Sequence, residues 1–180
     1  MFSPIKTIEV ADHVVKIIPD DSGDHECPLA SLGPDEGIRF VSFDRRSSFS
    51  RDYNEFSTPG EAVTWAKKNR YEVFDLFKYD HSMVAYSIKS FLGRAQHAEW
   101  DSCQVGYVLI KKSAFRGIKR RLEVAESWCK AMTTWCNGTY YGYVIEDADG
   151  NEVDSCWGFD DDDYCELEAV AYAKRITEKK

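Results

Sequence analysis

The segment 120–136 constrains the fold most. Leu122, Ala125, Trp128, Cys129, Met132, Trp135 and Cys136 recur at the helical period. One side of this helix is therefore apolar and has to be covered, and Asn137-Gly138 supplies a C-terminal stop. The segments on either side change period. "MVAYSIKS" puts Val84, Tyr86 and Ile88 on one face, "IRFVSFD" (38–44) alternates in the same way, and "QVGYVLI" (104–110) is apolar enough for a central strand. "IKTIEVADHVVKIIP" (5–19) predicts strand–turn–strand with the bend at Ala11-Asp12, and "YEVFDLFKYDHS" (71–82) a strand running into a polar tip. After the helix, "TYYGYVIE" and "EVDSCWGF" form a hairpin about "DADGN". Two further helices have start signals. Thr58, Pro59 and Glu61 predict an N-cap, N1 and capping-box acid for a helix ending near Asn69, and the C-terminal segment opens with acids and closes with Lys and Arg. Residues 20–37 are a polar loop, "RRSSFSRDYNEF" is irregular, and "SAFRGIKRR" is a basic connector. The predicted fold is α+β, a mainly antiparallel sheet with two or three helices packed on it. With no repeat and no linker, residues 1–180 are expected to form a single globular domain.

A formal net charge of -8 argues against general binding to nucleic acid or to an anionic membrane, because both need a positive field. It permits a basic partner protein. "MFSPIKTIEV" lacks the apolar core of a signal peptide, and no apolar run reaches membrane-spanning length. The six cysteines are then expected as reduced thiols in a cytoplasmic protein. They show no C-x-x-C and no Cys/His ladder, and Cys129 and Cys136 share a helix face as small core hydrophobes. No phosphate-binding or dinucleotide glycine motif occurs, so no cofactor is expected.

Two stretches carry candidate chemistry at strand ends. Asp80-His81-Ser82 and Asp101-Ser102-Cys103-Gln104 could converge on a cleft, with His81 as base and Asp80 or Asp101 as its orienter. Ser82, Ser102, Ser155, Cys103 or Cys156 could be the nucleophile, although no nucleophile-elbow motif supports this. The plainer alternative is that these polar side chains satisfy turn amides. A second Asp-Ser-Cys follows at Asp154-Ser155-Cys156-Trp157-Gly158-Phe159. Strict alternation would put Trp157 and Phe159 on one face, as core. From Glu146 to Glu168 there are eleven acids and no Lys or Arg, among them Asp147, Asp149, Glu152 and the run Asp160, Asp161, Asp162 and Asp163. Such a block could mimic phosphates toward a basic partner or ligate Mg²⁺ or Ca²⁺, but the EF-hand spacing is absent and no metal is assigned. Its plainer alternative is a solvated turn followed by a favourable helix N-terminus. The basic group Lys111, Lys112, Arg116, Lys119, Arg120 and Arg121 is best explained as a solvated connector.

"YDHS" (79–82), "WDSCQVGYV" (100–108), "NGTYYGYVIED" (137–147) and "DSCWGF" (154–159) together resemble, in this order, a family of proteins carried by phages, plasmids and integrative elements. Pro28 and Leu32-Gly33 extend the resemblance more weakly. Met83 and Cys103 stand where the family usually has Gly, which makes Cys156 a better shared nucleophile than Cys103. The resemblance implies a mobile-element accessory protein of counter-defence type acting in the host cytoplasm. The leading expectation is therefore a non-enzymatic inhibitor of a host defence protein, of anti-CRISPR or anti-restriction type. It would bind a basic surface through Asp147, Asp149, Glu152, Asp160, Asp161, Asp162 and Asp163. The alternative is a small hydrolase or nucleotide-acting enzyme using His81, Asp101 and Cys156. A third reading is a regulatory module that binds a small ligand in an aromatic pocket.

Overall fold

The computed structural model describes residues 3–23, 25–33 and 35–178. Asp24 and Pro34 of the predicted loop lie outside the described residues. The chain is α+β, with two four-stranded antiparallel sheets and five α-helices among the described residues. It divides into two compact units, Met1–His25 with Gly138–Lys180, and Glu26–Asn137.

The first unit holds the sheet β1-β2-β7-β8, formed by β1 (Lys6–Val10), β2 (His13–Asp20), β7 (Tyr140–Glu146) and β8 (Glu152–Phe159). Ala11, with φ 54°, makes the tight β1–β2 turn. Helix α5 (Asp162–Thr177) covers one face of this sheet. Val15, Ile17, Ile145, Cys165, Ala169 and Ala173 are fully buried between them. Small residues on the inner stripe of α5 let the helix approach the sheet closely. Asp161 is the N-cap, its carboxylate accepting the Tyr164 amide at 2.9 Å.

The second unit holds the sheet β3-β6-β4-β5, formed by β3 (Ile38–Ser42), β6 (Ser102–Lys111), β4 (Tyr71–His81) and β5 (Met83–Ser87). Helix α2 (Pro59–Lys68) has the capping box the sequence predicts. The Glu61 amide donates to Thr58 Oγ1, and the Ser57 amide donates to Glu61 Oε2 at 2.8 Å. Helix α4 (Ile118–Asn137) packs on β5 and β6. Met132, Ala125 and Cys129 are buried, and Trp128, Trp135 and Cys136 are half-buried against the same core. Two short helices escaped the sequence reading, α1 (Ser48–Asp52) and α3 (Ala98–Asp101). Each is about one turn, too short to show a period.

The α4 helix also closes an edge. β5 ends its sheet, and α4 supplies partners for its backbone. Asn137 accepts the Val84 amide at 2.9 Å and donates to the Val84 carbonyl at 2.7 Å, while Thr133 Oγ1 accepts the Tyr86 amide. A strand edge that would otherwise offer a template for pairing is thereby capped by side chains.

All six cysteines are free. Burial pushes the Cys129 and Cys165 thiols, and the Tyr143 phenol, up to about 12. Such groups hold their protons in the folded protein while the unfolded chain begins to lose them near pH 8.5 to 10. The unfolded state then binds fewer protons, so stability falls as pH rises through this range. We expect urea midpoints to decline steadily from about pH 9 upward in both units. A flat profile to pH 11 or so would contradict the burial of these groups.

Candidate functional site

The two polar strand ends meet in the second unit. A β-bulge does this. Leu76 pairs with Gly106, but Phe77 pairs with Gln104, so Val105 is an extra residue on β6. The shift sets Cys103 opposite Lys78 and Ser102 opposite Tyr79. Asp101, at the end of α3, then reaches the tip of β4. His81 Nδ1 lies 2.8 Å from Asp101 Oδ2. The backbone on both sides is in the left-handed region at non-glycine residues, Ser82 with φ 64° and His97 with φ 55°. Such conformations cost on the order of 1 kcal/mol each and cluster at functional positions.

Beside this pair is a polar cleft of about 540 Å³. Its floor is Lys78, whose ammonium lies 3.0 Å from Asp44 Oδ2 and 2.9 Å from Asp80 Oδ2. Burial pulls the Lys78 pKa down, but the hydrogen bonds it donates to Asp80 and Asp44 outweigh it and raise the value above the ordinary lysine range. Burial likewise pushes Asp44 up, and its bonds from the Arg46 amide, Lys78 and Ser47 bring it below the ordinary carboxylate range. Both groups stay charged at neutral pH. Arg46 and Trp100 form other walls of the cleft.

Of the predicted catalytic residues, His81 and Asp101 come together, and Cys156 belongs to the other unit, exposed on β8. Among the described residues the one side-chain hydrogen bond of His81 is to Asp101. The Ser102 hydroxyl donates instead to the Ala98 carbonyl at 2.6 Å. Asp44, Arg46 and Lys78 were missed. The available signal was parity on β4, because Lys78 shares a face with the fully buried Leu76. A lysine at an inward position calls for carboxylate partners.

The acid block lies in the first unit, and much of it serves the fold. Asp147 shapes the β7–β8 turn by accepting the Asp149 and Asn151 amides at 2.9 Å. Glu152 accepts the Ser155 hydroxyl, and Asp154 the Tyr143 hydroxyl. The Lys6 ammonium touches Asp162, Asp163 and Glu166 at 2.8 to 3.1 Å, which raises its own pKa. The carboxylates of Asp161, Asp162 and Asp163 lie within 4.8 Å of one another. The α5 N-terminus and Lys6 account for that clustering without an ion. Asp149 and Asp160 are exposed. So is the outward side of α5, where Tyr164 is 53 % accessible and Leu167, beside Asp163, Glu166 and Lys174, is 62 % accessible.

The shared face expected for Trp157 and Phe159 does not occur. Trp157 pairs with Gly142 and Phe159 with Tyr141, which are neighbours on β7, so the two rings lie on opposite faces. Gly158 is the bulged residue, with φ 87°, a conformation that favours glycine. Phe159 joins the core under α5, while Trp157 lies on the far face at 48 % exposure. Its indole covers Gly142, where a Cβ would come within 2.2 Å of the ring. Close by, Asp20 is buried and accepts the Ser22 amide, and the His25 ring stacks on Tyr140 at 3.7 Å. Burial pushes Asp20 up, but the Ser22 and Gly158 amides and the charge of His25 hold it below the ordinary carboxylate range.

Among the described residues no helix is long and apolar enough to cross a membrane. The basic connector is partly neutralised, with Lys112 and Arg121 both on Glu72 and Arg120 on Glu123. Compared with family models, curated proteins and solved structures, the chain has no match.

Proposed function

We propose that this chain is a non-enzymatic binding protein that occupies a basic surface of a partner through α5 and the β7–β8 hairpin. The observation that carries the reading is the outward side of α5. Tyr164 and Leu167 stand exposed there inside a segment of eleven acids without a Lys or Arg. Apolar side chains within a mainly acidic rim that also holds Lys6 and Lys174 have the anatomy of a protein interface. The rim speeds encounter with a basic partner, and the tyrosine and leucine supply apolar contact area. The resemblance to mobile-element proteins supports a host defence component, of CRISPR or restriction type, as that partner. Such a component carries a basic groove for nucleic acid, and an acidic protein competes for it.

Changing Asp160, Asp161, Asp162 and Asp163 together to Asn tests the reading. Asn caps a helix as well as Asp does, so α5 should persist. Inhibition of the partner in cells should fall far more than the modest drop in thermal stability that follows from losing the Lys6 contacts and the charges at the α5 N-terminus. A second reading, a small hydrolase or nucleotide-acting enzyme, rests on the 2.8 Å contact between His81 and Asp101 at the open cleft. It requires the opposite result, full activity in the four-Asn variant and loss in His81→Ala.

A further inference from the structure

The cleft belongs to the second unit and α5 to the first, and the chemistry of the cleft selects a ligand of its own. Trp100 is the most exposed large apolar side chain among the described residues, at 84 %. Its indole has no hydrogen-bond or ring partner among them. An unpartnered indole at the mouth of a polar cleft is a stacking platform. The cleft behind it, at about 540 Å³, falls within the range of small-ligand sites.

Charge decides which ligand. The Asp80 carboxylate is half exposed and has one oxygen on Lys78. Asp101 has one oxygen on His81. Each keeps a second oxygen as an acceptor. Lys78 has its charge engaged by Asp44 and Asp80. The Arg46 guanidinium has no partner among the described residues and remains a donor. An anion entering the cleft meets Asp80 and Asp101, and a cation meets Arg46. A neutral ligand with many hydroxyls meets neither repulsion. Hydroxyl groups both donate and accept, so they match a wall of mixed carboxylates and guanidinium. We propose that this cleft binds a sugar ring, its C–H face on the Trp100 indole, its hydroxyls donating to Asp80 and Asp101 and accepting from Arg46. The ring can belong to a free saccharide or to the ribose of a nucleoside, since a carboxylate holds ribose hydroxyls in the same way.

The test follows the Trp100 indole N–H signal by NMR in the whole protein. Probes are glucose, N-acetylglucosamine, ribose and adenosine, with inorganic phosphate and arginine methyl ester as the charged controls. Each is raised to roughly 20 mM, enough to saturate a site of millimolar affinity. At least one sugar-bearing probe should shift the signal in a saturable way. Asp80→Asn and Arg46→Gln should each weaken that probe several-fold, and Trp100→Ala should abolish its binding as read by saturation transfer to the ligand. Trp100 is exposed, so this variant should fold normally, which circular dichroism checks. Response to hexoses points to a saccharide, and response to ribose and adenosine alone points to a nucleoside; either supports the proposal. Silence from all four, or saturation by phosphate or arginine methyl ester instead, overturns it. That outcome would leave the α5 reading standing, because Arg46, Asp80 and Trp100 belong to the second unit and α5 to the first.

Discussion

Replacing Gly106 by alanine should unfold the second unit or cost it on the order of 3 kcal/mol or more. Gly106 sits in the middle of β6, between Ser42 of β3 and Leu76 of β4. A Cβ there would come within 1.9 Å of the Val41 carbonyl oxygen and 3.0 Å of the Ser42 Cα. Those atoms are backbone, so no rotamer change relieves the clash. Relief means separating β3 from β6, which breaks the ladder that holds Ile38, Phe40 and Val108 in the core. The same strand carries Ser102 and Cys103 into the cleft, so His81 and Asp101 would lose their register as well. Urea unfolding compared with the natural protein checks this. An unchanged midpoint would mean that β3 and β6 do not run as close as described.

Asn137→Ala should be the next most damaging change, at about 2–4 kcal/mol. One side chain satisfies three backbone groups, the Val84 amide, the Val84 carbonyl and the Thr133 carbonyl. Alanine leaves the first two unpaired at the half-buried seam between α4 and β5. The unpaired groups also restore an open strand edge, so the variant should aggregate more readily than its stability alone implies. Asn137→Asp is a useful companion. It keeps the acceptor for Val84 N–H but turns a carboxylate oxygen toward the Val84 and Thr133 carbonyls at the α4 C-terminus, so its cost should match or exceed that of alanine. Equal stability of all three proteins would remove this account of how the β5 edge is closed.

Much of the fold was legible in the sequence because its signals are local. Thr58 and Glu61 fix the α2 start by hydrogen bonds within four residues, and the α4 stripe repeats over about four turns. What the sequence hid depends on long-range register. The bulge at Val105 decides that Cys103 faces Lys78, and a periodic pattern does not show which strand will carry an extra residue. The bulge at Gly158 separates Trp157 from Phe159 for the same reason. The partition into two sheets was not visible either, because β2 pairs with β7, more than a hundred residues later. At the cleft, His81 and Asp101 were accessible as polar residues in tip motifs. Asp44 was not, since its partner Lys78 is 34 residues away.

The central claim is that acids around an exposed tyrosine and leucine on α5 hold a basic partner. The most direct measurement is the affinity for that partner, once identified by capture from host cells and purified. It should be taken at about 50 and 300 mM salt, which spans a large change in screening. The four-Asn variant and Leu167→Ala are compared with the natural protein. The account predicts at least about tenfold weaker binding in each variant, which is roughly 1.4 kcal/mol, and a salt dependence that is strong in the natural protein and shallow in the four-Asn variant. Unchanged affinity in both variants, with the same salt dependence as the natural protein, would contradict it.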